Sequence, residues 1–263
     1  RVAVERPQVT GVAAALLVAL SPDLLWHAQD ARMYSLMAAL MLVIFIATLE
    51  YVRTRQRRWL VAYSAVALYG VLVHYYLSVG LVAVNLAFVV GLVLDRHRRS
   101  VAELRRTILE WATAQAVVLL VLAPWFYFAR NLLGGFEPGW TEPTPIPEML
   151  LRTVQVAVLG TSVDAELAGR VVWLLLALTA AGIILMLLRS ASTGAYMATL
   201  LVGPILVVAA LSVRTPIYLE RYLVYLTPLV LVIIATAIVA VARHQRLLSG
   251  ALAIAVLLPM GLA

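Results

Sequence analysis

Four short runs of this 263-residue chain collect the side chains that could do chemistry. The first is Ser21-Pro22-Asp23-Leu24-Leu25-Trp26-His27-Ala28-Gln29-Asp30-Ala31-Arg32-Met33-Tyr34-Ser35-Leu36, which packs His27, Gln29, Asp30, Arg32 and Tyr34 into eight residues. The second is His74-Tyr75-Tyr76, with Asn85 further along. The third and longest, 129–167, carries Arg130, Asn131, Gly134-Gly135, Trp140 and the run Pro143-Thr144-Pro145-Ile146-Pro147. The fourth runs from Val213-Arg214 to Glu220-Arg221-Tyr222-Leu223. A guanidinium fork grips phosphate oxygens bidentately, and tyrosine adds a donor on an apolar body suited to a membrane interface. Arg32 with Tyr34, and Arg221 with Tyr222, therefore describe a seat for a lipid phosphate. His27, Gln29, His74, Tyr75, Tyr76 and Glu220 are expected to line the cavity around it. A plainer reading stands beside each. Trp26 and Tyr34 fit an aromatic belt, Asp30–Arg32 and Glu220–Arg221 fit local ion pairs, and one histidine without partners is no metal site. With no cysteine, disulfides, thiolate metal sites and cysteine nucleophiles are excluded.

These runs hang between nine apolar stretches, 9–26, 33–52, 59–77, 78–94, 107–128, 168–188, 195–212, 222–242 and 249–263. The chain is 64% hydrophobic and 13% charged, with a mean hydropathy of +0.99. A soluble domain could not hide that much apolar surface, whereas each bilayer crossing needs about 20 apolar residues. The alternating pattern of a barrel is missing, so each stretch is expected to be helical. The fold class that follows is an all-α polytopic membrane protein, a single transmembrane domain over 1–263 with about nine spanning helices. If the second helix starts near Asp30, that carboxylate lies in its first turn, where the helix dipole favours an anion, and Arg32 sits just inside the membrane. Arg221 is expected in the first turn of the eighth helix. Within the 129–167 loop, Glu148 and Arg152 are an i,i+4 pair, and Leu150, Leu151, Val154 and Val158 share another face. A proline-rich start and a stop at Gly160 make 146–159 an interfacial helix on the outer surface, either a lid or a brace. Glu103-Leu104-Arg105-Arg106 reads as a second, short basic helix near anionic headgroups.

Arginine sets the orientation. All basic residues of the chain are arginine, and alternate connections hold fourteen on one side and six on the other, against five and eight acids. One side is thus net +9 and the other net −2, which together make the formal +7. The positive-inside rule places the first side in the cytoplasm and 129–167 outside. The isoelectric point near 10.0 is then a topology signal, and nucleic acid is not an expected partner. Absence of lysine beside abundant Ala, Val and Leu points to a GC-rich bacterial genome. The chain opens at Arg1 without a methionine and stops inside Leu257-Leu258-Pro259-Met260-Gly261-Leu262-Ala263. It reads as an internal piece of a longer polypeptide, lacking N-terminal helices and a C-terminal part, with no signal peptide visible.

The stretch from Leu20-Ser21-Pro22 through His27-Ala28-Gln29-Asp30-Ala31-Arg32-Met33-Tyr34-Ser35-Leu36 resembles the bacterial protein O-mannosyltransferase-like and aminoarabinose-transferase-like glycosyltransferases of the membrane GT-C superfamily. Val73-His74-Tyr75-Tyr76, the loop from Trp140 to Gly160, and Glu220-Arg221-Tyr222-Leu223 followed by Pro228 match in the same order. The Gln-x-x-Arg-Met-Tyr piece is the most specific of these. The resemblance implies a GT-C-like fold and an inverting transferase in a bacterial plasma membrane, with its site facing the periplasm or exterior. Such an enzyme moves a sugar from a polyprenyl-phosphate carrier to an acceptor hydroxyl on protein, lipid or polysaccharide. It implies arginines on the leaving phosphate and a carboxylate base in an outer loop upstream of Arg1, which leaves Asp30 at most an auxiliary. Some relatives bind a divalent metal and others need none, so the resemblance names no certain cofactor. The alternative is a transporter or flippase for lipid-linked or anionic substrates. That reading predicts inverted repeats, broken helices and ionisable groups near the midplane. The sequence has no paired halves, and its charges gather at the outer mouth.

Overall fold

The structure is a computed structural model and describes residues 6–134, 141–213, 215–243 and 245–262, apart from the side chains of residues 98 and 131–134. Those residues are helical, with no strand among them. In order they form α1 (Pro7–Ala19), α2 (Pro22–Gln29), α3 (Tyr34–Thr54), α4 (Arg57–Val73) and α5 (Leu77–Asp95). A 3-10 turn, Arg96–Arg98, precedes α6 (Val101–Gly134), α7 (Ile146–Leu159), α8 (Ala165–Arg189) and α9 (Ala191–Ser212). A 3-10 segment, Glu220–Leu226, then runs into α10 (Thr227–Ala242), and α11 (Arg246–Leu262) follows.

Six of the described helices are long and apolar enough to cross a bilayer: α3, α5, α6, α8, α9 and the combined span Glu220–Ala242. The α1–α2 pair makes a seventh if its 50° bend is counted within one broken span. The expected nine are not reached. Stretches 59–77 and 249–263 give α4 and α11, each of 17 residues, short of the ~20 that a bilayer core needs. The first stretch breaks because Pro22 has no N–H and bars the residue before it from helical geometry. The chain restarts there with Ser21 as N-cap, its hydroxyl accepting the Leu24 N–H at 3.4 Å.

The span Glu220–Ala242 is the central pillar. Val230, Leu231, Ile233, Ile234 and Ala235 are wholly buried, and α1, α7, α8 and α11 surround them. Around this pillar α5 lies along α9, α3 along α4, and α4 against α6. Apolar burial drives little between helices in lipid, so close backbone approach has to hold them. At the α8–α10 crossing Gly182 permits it: a Cβ there would strike the Ile233 carbonyl oxygen and lie 2.7 Å from its Cγ2. The outside is greasy, with Leu120 and Phe128 of α6 74% and 76% exposed, as suits a lipid-facing helix.

Two boundaries differ from the sequence reading. The 101–134 helix is continuous, so neither a separate basic helix at Glu103–Arg106 nor a loop starting at 129 exists. A capping box starts it, the Ser100 hydroxyl accepting from the Glu103 N–H (3.2 Å) and the Glu103 carboxylate from the Ser100 N–H (2.9 Å). Pro124 inside it is tolerated as in other membrane helices. The 3-10 segment before α10 is the second. Pro228 offers no N–H for an α-type bond to Val224, so the two turns before it wind more tightly. The 146–159 helix has the expected bounds, ended by Gly160 at φ 70°. Its apolar face does not lie on lipid but is buried in the bundle, with Val154, Val158 and Leu159 fully enclosed.

Candidate functional site

The local fold of α2 places the first pair of groups. Asp23 and His27, four residues apart on an eight-residue helix, fall on one face, with Asp23 Oδ1 3.5 Å from His27 Nε2. The other Asp23 oxygen accepts a hydrogen bond from the Thr227 hydroxyl at 2.6 Å, across 204 residues of sequence. Both side chains are buried, 3% and 5% exposed, and His27 Nδ1 makes no hydrogen bond among the described residues. Sequence reasoning singled out His27 and missed Asp23 and Thr227. The available signal was an acid and a histidine at i,i+4 just after a helix-restarting proline.

Next to His27 the start of α3, the α4–α5 hairpin and the 3-10 segment bring their rings together. Tyr34 lies 5.0 Å from the His27 ring, 5.8 Å from His74 and 6.3 Å from Tyr222. Tyr222 in turn lies 5.3 Å from His74 and 4.8 Å from Tyr76, while Tyr75 stacks on His74 at 5.2 Å. His74 Nδ1 accepts the Tyr76 N–H at 3.1 Å, and the Tyr76 hydroxyl donates to the Ile217 carbonyl at 2.9 Å. Burial pushes the His74 imidazole below its usual 6.5 and keeps it neutral. Burial also raises the Tyr75 and Tyr76 phenols, so both remain donors at neutral pH. Five residues expected to share an outer cavity, His27, Tyr34, His74, Tyr76 and Tyr222, do come together, with Tyr75 at their edge.

The arginines behave differently from one another. Asp30 does not open a helix: it is the C-cap of α2, and α3 begins four residues later at Tyr34. Asp30 therefore sits at the negative end of α2, and Arg32 lies in the linking turn. Arg32 is 56% exposed, with its Nε 3.6 Å from Asp30 Oδ2, so the local-pair reading describes it. Arg221 lies in the 3-10 segment, and its neighbour Glu220 is drawn away to Arg152 on α7 at 3.2 Å. The Arg221 guanidinium sits 5.5 Å from the Tyr222 ring centroid, and its Nε is buried without a hydrogen-bond partner among the described residues. Arg32 and Arg221 both lie close enough to His27 for their charges to act on it, so they share one end of the bundle.

Helix α7 is the strut behind the cluster. Arg152 joins Glu148 at 2.6 Å and Glu220 at 3.2 Å, and the Ser21 hydroxyl donates to the Ala157 carbonyl at 3.3 Å. The Tyr218 hydroxyl, its pKa pushed up to about 12 chiefly by burial, donates to the Met149 carbonyl at 3.1 Å. Gln29 does not join the cluster; it is exposed and lines a small cavity of about 230 Å³ with Trp26 and Gly160. Asn85 belongs to another network, bonding Gln115 at 3.1 Å and accepting from Trp111 Nε1 at 2.8 Å. Arg130 stacks on Tyr127 within α6. Gly135, Trp140 and Arg214 lie outside the described residues.

The arrangement can bind an anionic oxygen group through Arg221 and several neutral donors, and can hold a proton at the Asp23–His27 pair. No three His, Cys, Asp or Glu side chains meet among the described residues, so Asp23 and His27 alone are too few to seat a metal. Compared with protein-family models, with curated proteins and with solved structures, the chain matches none.

Proposed function

We propose that the chain is part of a membrane glycosyltransferase that takes a sugar from a polyprenyl-phosphate carrier and passes it to an acceptor hydroxyl. The supporting observation is Arg221, whose Nε is buried without a hydrogen-bond partner among the described residues and whose guanidinium lies by Tyr222, itself packed on Tyr34 and His74. In this reading the acceptor oxygen bonds to the anomeric carbon with inversion while the carbon–oxygen bond to the carrier phosphate breaks. The electron pair leaves on the phosphate, where Arg221 and the tyrosine hydroxyls stabilise the growing charge. His27, held by Asp23, offers an imidazole nitrogen to the same group or to the acceptor. The resemblance of the Gln29-to-Tyr34 run to GT-C enzymes points the same way, and it implies a carboxylate base that takes the acceptor's proton. Asp30, tied to Arg32, does not take over that role here.

One observation favours the transporter alternative: the α1–α2 pair bends by 50° at a short break, and counted as one crossing it is a broken span of the kind found in many secondary transporters. Its break lies beside the same cluster. The two readings separate in proteoliposomes carrying the encoded protein and radiolabelled polyprenyl-phosphate sugars. The transferase should consume the donor and release polyprenyl phosphate. Movement of an intact donor between leaflets, with no cleavage, would replace it with the flippase.

A further inference from the structure

At the opposite end of the bundle, where α3 stops and α6 starts, two adjoining cavities of about 470 and 600 Å³ share Val52, Arg53, Asp95 and Arg99. Arg55 lines the larger one. It caps α3 at φ 58° and ψ 19°, the left-handed region that residues other than glycine rarely enter. Its guanidinium carbon lies 5.6 Å from the Tyr51 ring centroid, close enough to act on the Tyr51 hydroxyl, and among the described residues both terminal nitrogens are buried with no well-aligned hydrogen-bond partner. Arg99 lines the same cavity: among the described residues its Nε is buried and unpartnered, and a terminal nitrogen makes a loose 3.9 Å pair with Asp95.

Other carboxylates around the cleft are already engaged. Glu110 accepts from Tyr51, Arg57 and Arg106, Glu103 caps its own helix, and Glu50 holds Arg53 at 2.7 Å. Buried guanidinium donors cost free energy until an acceptor reaches them, and two forks facing one space suit a group with several anionic oxygens. The adjoining cavity shows what that group is attached to. Its walls on α3 and α5 are Leu49, Ala87, Phe88 and Gly91, where a Cβ at Gly91 would meet nothing within 4 Å, and Ser190, Ser192, Thr193 and Tyr196 at the start of α9 form a more polar third side. A charged pocket thus adjoins a cavity that offers an apolar wall along α3 and α5, against which a hydrocarbon chain can lie.

We infer that Arg55 and Arg99 hold the phosphate of a phosphate-headed lipid whose acyl chain lies against the apolar wall of α3 and α5. The site is separate from the outer cluster and stands whether or not that cluster transfers sugar. It can be tested on the purified protein in detergent, by thermal unfolding and native mass spectrometry with three probes. Phosphatidylglycerol should raise the unfolding temperature and stay bound, as a ligand of the folded state does. Diacylglycerol, which lacks the phosphate, should do neither, and inorganic phosphate should give a much smaller shift. Arg99→Gln should weaken phosphatidylglycerol binding at least about tenfold, and Arg58→Gln, outside the cleft, should leave it unchanged. Arg55→Gly guards against misfolding, because glycine suits φ 58° while removing the guanidinium. It should be as stable as the parent without lipid and lose most of the lipid-dependent shift. Equal phosphatidylglycerol affinity in Arg55→Gly and parent would overturn the site. Diacylglycerol binding as well as phosphatidylglycerol would overturn the phosphate, and inorganic phosphate matching the lipid would overturn the acyl-chain contact.

Discussion

Arg221 forms no ion pair among the described residues, and its Nε is buried without a hydrogen-bond partner there. Arg32 differs: it stands 56% exposed with Asp30 beside it. Losing the planar fork should therefore matter more at the first than at the second. Arg221→Lys is expected to lower kcat/KM for a polyprenyl-phosphate sugar at least about tenfold, or ~1.4 kcal/mol of transition-state stabilisation, and Arg32→Lys only a fewfold. Equal losses would put both guanidiniums on the phosphate, while an active Arg221→Lys would return Arg221 to a packing role. His74 gives a pH-dependent expectation that needs no substrate. Its folded pKa lies below the 6.5 of the free side chain, because burial disfavours the cation. Above about pH 7 it is neutral in both states and contributes nothing. As the pH falls through 6.5 the unfolded chain binds the proton first, so stability drops, and the loss is complete below the folded pKa. Unfolding temperatures at pH 7.5 and 5 should fall less for His74→Gln than for the parent; identical falls would place the acid sensitivity elsewhere. The residue types of this site were legible because arginine, histidine and tyrosine stand out at the edges of apolar runs. Asp23 was not, because its partner Thr227 is 204 residues away and only the fold joins them.

Helices were easier to foresee than their joints. Long apolar runs fix where a span must lie, so α3, α5, α8, α9 and α10 fall close to their expected limits, and the periodicity of 146–159 gave α7 its bounds. Failures came where a short-range contact outweighs hydropathy. Pro22 breaks the first span, Ser100 and Glu103 start α6 early, and Pro228 tightens the turns before α10. These are local backbone effects that a hydropathy profile averages away. The consequence for the site is large, since the break at Pro22 turns Asp23 and His27 toward Thr227 and Tyr34. Contacts between helices were not legible at all, because a glycine in an apolar run looks alike whether it faces lipid or a neighbour. Gly182 shows the difference. Gly182→Ala would push a methyl into the Ile233 backbone and force α8 away from α10. It should cost about 1–3 kcal/mol in detergent unfolding, whereas Gly169→Ala on the same helix, with nothing within 4 Å, should be neutral or stabilising. Similar behaviour of the two variants would mean that the crossing is loose.

Across the whole molecule charge and chemistry divide between two ends. The α3 helix, about 30 Å long at 1.5 Å per residue, separates them: Tyr34 at one end joins the ring cluster, and Arg55 at the other opens the arginine-lined cleft. Helix α4, though below the usual length of a span, runs between the same two ends, from Arg57 beside Glu110 to His74 in the ring cluster. The segments Arg53–Arg55 and Asp95–Arg106 lie together at the cleft, while Asp30, Glu148, Arg152 and Glu220 lie by the cluster. Only a membrane potential and the insertion machinery give such a molecule a direction, and both act on arginine near helix ends. The arginine-rich end should therefore face the cytoplasm, with the ring cluster on the opposite side, where a polyprenyl-phosphate sugar would be used. These 263 residues hold no cysteine, so a single introduced thiol is the only one among them to label. Gln56→Cys and Thr161→Cys both change exposed residues, one at each end. In intact cells a membrane-impermeant maleimide should modify Thr161→Cys and spare Gln56→Cys until the membrane is opened. The reverse pattern would invert the molecule and place the ring cluster in the cytoplasm. Transfer would then have to take place at the cytoplasmic leaflet, against the orientation proposed here.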